Sequence, residues 1–279
     1  MGGLYLVADI NEKEGCHYLG RLEDGKIKLE EVYRFEIKQI QKNGNEMWDL
    51  KYIFEQIKAG IANCRKIGKL PVLVSIAACD DLFVLLDQDN KVIDDMIFNL
   101  DELKNPETFK NEYLPYIKQA KCFLMLADYF CFLLTGRMQC NCTYLIPGGL
   151  VTKDTLNWNE EIIEKMGLNK SQFPPVSRPG NVIGNLTLEI TDEIGYDFIL
   201  METLSRQTAA SIFKSAENSI GKENENIQDT DQTQQTDRIS IPDELKIIIG
   251  CLCILFIISH ELKDMDAAIE TIRKYLLSQ

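Results

Sequence analysis

Three acidic residues follow apolar runs of the kind that form buried strands. Asp9 ends the run that starts at residue 4, and Asp80 and Asp81 follow the run over 71–78. A carboxylate in such a position can hold a metal ion or accept a proton. An acid at a strand end is also often a solvated residue with no ligand. The residues alone therefore leave both interpretations of Asp9 open.

Histidine and cysteine offer less chemistry than these acids. The chain has only two histidines, His17 and His260, so no His-based catalytic triad or nucleophile can be argued. Cys251 and Cys253 stand two residues apart on a predicted helix, where side chains with that spacing point to different sides. We expect these two thiols to be buried and apolar rather than to share a metal ion.

The order of predicted elements in the first part of the chain indicates an α/β domain. Alternation and turn residues predict three strands, then an amphipathic helix, then two apolar strands. This layout is similar to a ribonuclease-H-like domain, as in the actin and sugar-kinase ATPases. The predicted strands are 4–7, 16–22, 26–35, 71–78 and 82–86, the helix is 48–66, and Asn43-Gly44 marks a turn.

Further along the chain the pattern predicts more helix and then a break in composition. One long helix is predicted over 106–135, a short one over 158–166, a strand over 198–201 and a helix from Thr208. The segment 221–238 holds one aliphatic residue, Ile227, and no aromatic residue, which is typical of a disordered linker. We therefore divide the chain into a domain over 1–220, a linker over 221–240 and a C-terminal helix over 241–279.

The apolar run in the C-terminal helix has two interpretations. It covers 247–258 and is about 12 residues long, short of the ~18–20 that a membrane span needs. Lys246 and Glu261 flank it closely. We expect a buried helix, with a membrane tail anchor as the alternative.

Composition limits the classes of partner. The formal charge is -13 and the sequence pI is about 4.7. A nucleic-acid backbone or an anionic membrane surface would repel such a protein, so we expect neither as a partner. No signal peptide is visible at the N-terminus, which leads us to expect a cytoplasmic protein with reduced thiols.

Several short strings follow one another in a fixed order over residues 4–213. They include Leu6-Val7-Ala8-Asp9, Phe83-Val84-Leu85-Leu86-Asp87, Leu133-Leu134-Thr135-Gly136 and Pro179-Gly180-Asn181-Val182-Ile183-Gly184. In this order they resemble the FGGY carbohydrate kinases, and within that family the rhamnulokinases. The resemblance covers the N-terminal domain. It implies a ribonuclease-H-like domain followed by a second domain that is here truncated to one helix.

The family transfers the γ-phosphate of Mg-ATP to a sugar hydroxyl, and the resemblance identifies the turn that should hold the phosphates. A turn after the first strand, rich in Gly and Ser, presents backbone N–H groups to them. Here Asp9, the family's metal-facing residue, is kept, but Asn11 replaces the first Gly and Lys13 stands at a Ser position. Side chains at these positions hinder a close approach of phosphate to the backbone. The resemblance leaves Asp9, Asn11 and Lys13 as candidate cofactor-binding residues.

The catalytic base and the sugar-binding loop are also changed. The loop after Ser205 carries a His-Asp pair in the kinases, with the Asp as general base, and here those positions read Arg206-Gln207. An amide cannot accept a proton at neutral pH, and the loss of a general base costs about 10²–10⁴-fold in rate. The family's sugar loop is shortened here and leaves Asp80 and Asp81 as candidate substrate contacts.

These changes predict a degenerate relative that does not phosphorylate a sugar by itself. It would instead bind a sugar, a protein partner or a second copy of itself through the domain face that the truncation exposes. The apolar helix would cover that face in cis or bind a partner in trans. The alternative is a working kinase for a rhamnulose-like ketose, alone or with a subunit that supplies the nucleotide domain, with Asp80 or Asp81 as base.

Overall fold

The protein is built on a six-stranded sheet, seen in a computed structural model that describes residues 3–42, 45–225, 243–258 and 262–276. The strands of the described residues are β1 (Tyr5–Ile10), β2 (Glu14–Glu23), β3 (Lys26–Glu36), β4 (Gln39–Lys42), β5 (Asn45–Trp48), β6 (Leu73–Ala77), β7 (Leu82–Leu86), β8 (Val92–Asn99), β9 (Cys122–Met125), β10 (Cys140–Asn141), β11 (Val176–Ser177), β12 (Val182–Asn185) and β13 (Ile199–Met201). The predicted turn at Asn43-Gly44 lies outside the described residues.

The α-helices complete the two faces of this sheet. They are α1 (Leu50–Lys66), α2 (Pro106–Glu112), α3 (Leu114–Gln119), α4 (Leu126–Thr135), α5 (Cys142–Leu145), α6 (Glu160–Lys165), α7 (Leu188–Ile194), α8 (Arg206–Glu225), α9 (Asp243–Ile258) and α10 (Met265–Leu276). Helix α1 begins at Leu50 because the Asp49 carboxylate accepts the backbone N–H of Tyr52 and caps it.

The strand order of the central sheet is β12-β13-β6-β1-β2-β3. Strands β1, β2 and β3 form an antiparallel meander, and β6 and β13 continue the sheet in parallel with β1. Every residue of β1 is buried, because the strand lies inside the sheet and both faces are covered. The predicted order of three strands, a helix and a strand is confirmed for the central sheet, and the fold is the predicted ribonuclease-H-like one. Strands β4 and β5, which pair with each other between β3 and α1, were not predicted from the sequence.

The prediction of one helix over 106–135 is wrong. The segment forms α2 and α3, then strand β9, then α4. Pro106 and Pro115 start short helices, and Ala120 ends the second in an extended conformation. Strand β9 is wholly buried and pairs with β7 in a second sheet, ordered β8-β7-β9. A short apolar run such as 122–125 has no periodicity that distinguishes a buried strand from a helix.

The second face of the central sheet is covered by α8, α9 and α10. The ring of Phe256 meets that of Tyr5 edge-on, with centroids 5.5 Å apart. Gly250 lets α9 approach α8 closely, since a Cβ there would lie 2.7 Å from the carbonyl oxygen of Ala209. The apolar run of α9 therefore lies in the core of the same chain, over β1.

The C-terminal part departs from the prediction of a single helix over 241–279, because it forms two. The Asp264 carboxylate accepts the backbone N–H of Ala267 and so caps a new helix, α10. Helix α8 extends to Glu225, into the segment predicted as linker, and residues 226–240 lie outside the described part of the chain. No helix among the described residues has the length and apolar character needed to cross a membrane.

A histidine is buried between β2 and α1. His17 is fully buried, and its Nε2 lies 3.2 Å from the carbonyl oxygen of Ile57, to which it donates. A Cβ on Gly60 would lie 2.5 Å from the imidazole ring, so helix and strand meet here without a gap. Burial lowers the pKa of His17 from 6.5 to about 4, and the hydrogen bond to Ile57 opposes this only in part.

We expect His17 to make the folded state less stable in mild acid. Because its pKa is lower in the folded state, its contribution is fully present above the unfolded pKa of 6.5 and is lost as the pH falls towards 4. Between about pH 7.5 and about pH 5 the loss amounts to about 2 kcal/mol of unfolding free energy. Urea unfolding of the wild type and of His17→Phe at both pH values measures it. An equal loss in both proteins would show that His17 is not the titrating group.

Candidate functional site

An ion pair joins the end of β1 to the start of α8. The Nη1 atom of Arg206 contacts both carboxylate oxygens of Asp9. The side chain of Asp9 is 2% exposed and that of Arg206 is 20% exposed, so the pair is largely removed from water. Burial by itself lowers the pKa of Arg206, but the charge of Asp9 outweighs it and the pKa is raised. The guanidinium therefore stays charged and contacts a buried carboxylate.

Asp80 caps helix α8 from the loop between β6 and β7. Its two carboxylate oxygens accept the backbone N–H groups of Arg206 and Gln207, each at 2.7 Å. The first N–H groups of a helix lack partners within the helix, and a carboxylate satisfies both their hydrogen bonds and the helix dipole. Burial raises the pKa of Asp80, and these two hydrogen bonds offset the rise only in part. Asp80 thus fixes the backbone of the residues at the predicted base position.

The turn between β1 and β2 is closed by a side chain. Asn11 Oδ1 accepts the backbone N–H of Lys13 at 2.8 Å and that of Glu14 at 3.0 Å. The backbone N–H of Asn11 donates in turn to the carbonyl oxygen of Glu14. In a phosphate-binding turn such N–H groups would face the ligand. Here two of them are bonded to the Asn11 amide.

Two neighbouring cavities surround these residues and meet at Asp80 and Asp81. The larger has a volume of about 570 Å³ and the smaller about 270 Å³. The larger is lined by Asn11, Glu12, Lys13, Glu14, Cys79, Asp80, Asp81 and Arg206. The smaller is lined by Asp80, Asp81, Leu100, Asp101, Leu103, Lys104, Thr143, Tyr144, Pro147, Gly148 and Gln207. The candidate residues predicted from the sequence therefore lie in one region. Asp9 does not line either cavity itself but contacts Arg206, which lines the larger one.

The smaller cavity presents hydrogen-bonding groups of both kinds. Asp81 accepts from the Asn99 side-chain amide at 2.7 Å, and Lys104 pairs with Asp101 at 2.8 Å. The hydroxyl group of Tyr144 is buried, and within the described residues nothing hydrogen-bonds to it. A buried hydroxyl without a partner is costly unless water or a ligand meets it. Carboxylates, an amide and hydroxyls around a small cavity suit a ligand with many hydroxyl groups.

The sequence reasoning missed a buried carboxylate that positions this region. Glu202 accepts from the side chains of Gln139 at 2.6 Å, Ser177 at 2.6 Å and Asn141 at 2.9 Å. Asn141 also donates to the carbonyl oxygen of Thr203 at 2.8 Å. These contacts tie the chain after β13 to β10 and β11, just before α8 begins. The signal in the sequence was a charged residue directly after an apolar strand.

A second buried carboxylate stands beside the first. Asp128 in α4 accepts the backbone N–H of Asn141 at 3.1 Å. Burial raises the pKa of Asp128 well above its ordinary value, and the charge of Glu202 raises it further. Burial also raises the pKa of Glu202, against the opposing effect of its hydrogen bonds. Asn141 thus links the two acids, and the network is part of the frame around the smaller cavity.

Comparison with known proteins identifies the family. A model of the N-terminal domain of the FGGY family of carbohydrate kinases matches residues 105–212. The rhamnulokinases of Halalkalibacterium halodurans and Oceanobacillus iheyensis are each 31% identical to this chain, over 74% and 77% of its length. This chain belongs to the FGGY carbohydrate kinases. It spans about half the length of these curated relatives, 51% and 53%.

Solved structures of FGGY-type sugar kinases share the fold. A ligand-bound xylulose kinase from Lactobacillus acidophilus superposes with a TM-score of 0.64 at 18% identity, over 76% of this chain and 50% of that one. A glycerol kinase from Plasmodium falciparum with ADP gives a TM-score of 0.60 at 13% identity, over 77% of this chain and 51% of that one. At these identities the likeness concerns the fold.

The FGGY kinases use Mg-ATP, and the residues found here do not fit that group. Arg206 contacts both oxygens of the Asp9 carboxylate, so a divalent cation would have to compete with the guanidinium for these oxygens. The Asn11 side chain holds the N–H groups of Lys13 and Glu14. Within the described ranges, no group of three or more His, Cys, Asp or Glu side chains is placed to hold a metal ion by itself.

The predicted base position also lacks a group that can take a proton. Gln207, which the resemblance assigns to that position, lines the smaller cavity with an amide. Asp80, one of the two alternative bases, already accepts two backbone N–H groups of α8. Asp81, the other alternative, lies at the junction of both cavities and is bonded to Asn99. Both predicted substrate residues thus line the smaller cavity, but Asp80 also holds the backbone of α8.

We expect Asp80→Ala to destabilise the fold by about 1–3 kcal/mol, because two N–H groups at a partly buried helix start lose a charged acceptor. Urea unfolding at neutral pH measures the change. Asp89→Ala removes an exposed acid of the turn after β7 and is the matched control, with an expected effect below about 0.5 kcal/mol. Equal stability of the two variants would contradict the capping role.

Proposed function

We propose that this chain binds a sugar in the smaller cavity and does not phosphorylate it. The contact between Arg206 and Asp9 carries the second half of the proposal. A kinase needs the carboxylate at the end of β1 free for the magnesium–nucleotide group, and here a guanidinium of the same chain occupies it. Gln207 adds a second obstacle, since an amide does not accept the proton of a sugar hydroxyl.

The first half of the proposal rests on the lining of the smaller cavity. Asp81, Thr143 and Gln207 bring hydrogen-bonding side chains to the cavity lining, and Lys104 adds a cation. The relatives named rhamnulokinase and the neighbour named xylulose kinase point to a ketose. Because half of each relative's length has no counterpart in this chain, ketose binding is proposed from the cavity and these names together.

Titration calorimetry with rhamnulose and with xylulose, in the absence of nucleotide, tests the binding. A coupled ADP-release assay with Mg-ATP and the same sugars tests the chemistry. We expect saturable heat from at least one ketose and no turnover above the protein-free rate. Robust sugar-dependent ADP release by the wild-type chain would contradict the proposed inactivity, and no binding of either ketose would contradict the proposed ligand.

A single substitution should localise the ligand. Asp81→Asn keeps the size of the side chain but replaces a charged acceptor in the cavity lining, so we expect ketose affinity to fall by about tenfold. Asp89→Asn makes the same chemical change at an exposed position in the turn after β7 and should leave the affinity unchanged. Equal affinities of the two variants would place the ligand elsewhere.

A further inference from the structure

We propose that the Arg206 guanidinium is the resident cation of the Asp9 site and keeps divalent metal ions off that carboxylate. The site then carries its own positive charge on a side chain rather than taking one from solution. This inference rests on the same contact as the proposed lack of phosphorylation, and it holds whether or not the smaller cavity binds a sugar.

The position of the guanidinium is fixed by the backbone that carries it. The backbone N–H of Arg206 donates to Asp80, and that of Ser205 donates to Thr143 Oγ1 at 2.9 Å. Helix α8 then runs away from the site and packs against α9. Contacts from two other segments therefore hold the first residue of α8 over the end of β1. From this position the guanidinium reaches Asp9 with the backbone as it stands.

Burial explains why the pair excludes a competitor. Asp9 has lost nearly all its water, and a carboxylate in that state needs a compensating positive charge. Arginine keeps its charge at all physiological pH values, so the partner is always present. A divalent cation that approached the same oxygens would meet the repulsion of the guanidinium and would have to displace it from the carboxylate.

The surrounding residues suit a cation once the arginine is gone. Asp80, Asp81, Glu12 and Glu14 line the larger cavity and outnumber its two basic residues, Lys13 and Arg206. Hard divalent cations prefer carboxylate oxygens as ligands. Removal of the guanidinium therefore exposes the Asp9 carboxylate beside a cavity of acidic character, and we expect this change to create affinity for such an ion.

Titration with Mn²⁺ alone, followed by electron paramagnetic resonance of the free ion, tests this in the whole chain. Arg206→Met should bind Mn²⁺ at least about tenfold more tightly than the wild type, since a unit positive charge next to the carboxylate has been removed. Arg206→Lys retains the charge and is the matched control, with affinity close to that of the wild type. The gain should disappear in the double variant Asp9→Asn, Arg206→Met. Equal Mn²⁺ affinity of Arg206→Met and the wild type would overturn the proposal.

The wild type gives an independent readout if Arg206→Met fails to fold. Mn²⁺ broadens the NMR signals of amides close to its binding site. If Arg206 keeps Mn²⁺ off Asp9 in the wild type, we expect Mn²⁺ to broaden the amide signals of Ile10, Asn11 and Cys16 no more than those of exposed acidic loops. Broadening of these three signals in the wild type beyond that seen in Asp9→Asn would place the metal at Asp9 and overturn the proposal.

Discussion

The buried contact between Asp9 and Arg206 connects the centre of the sheet to the helix that covers its second face. Asp9 belongs to β1, which lies between β2 and β6 and has no exposed residue. A carboxylate in this position would be costly without a partner. Arg206 supplies the charge, and because it is the first residue of α8, the ion pair also ties the start of that helix to β1. In the proposed function, the same contact engages the carboxylate that phosphoryl transfer would need.

Two further groups of contacts support the geometry of this pair. Asp80 holds the first N–H groups of α8, and the network around Glu202 and Asn141 holds the segment that precedes the helix. The second face of the sheet is then closed by α9, whose Gly250 packs directly on the α8 backbone. Residues that the sequence predicts as parts of a kinase site are thus structural partners of one another.

Much of the fold could be predicted from local pattern. Alternation and turn residues located the meander and β6, and the spacing of Ile53, Ile57 and Ile61 indicated the buried side of α1. The stretch 122–125 could not be assigned, because a strand buried on both faces shows no alternation. The start of α10 depends on a single cap, Asp264, inside a stretch that otherwise reads as continuous helix.

The contacts that decide the behaviour of the site could not be predicted in this way. Asp9 and Arg206 are 197 residues apart in the sequence, and Asp80 and Arg206 are 126 apart. Family resemblance indicated these positions. The ion pair and the helix cap could be seen only in the structure, because the fold brings these distant residues together. Glu202 was missed for the same reason, since its partners come from two other segments of the chain, 139–141 and 177.

A double-mutant cycle on the unfolding free energy tests the central claim most directly. Asp9→Asn, Arg206→Gln and the double variant remove the two charges separately and together. Each single variant removes one charge of the buried pair and keeps the other, so we expect a coupling energy of about 2 kcal/mol or more, with the double variant more stable than the sum of the single losses implies. If the stability loss of the double variant equals the sum of the two single losses to within about 0.5 kcal/mol, the two side chains do not depend on each other and the account is contradicted.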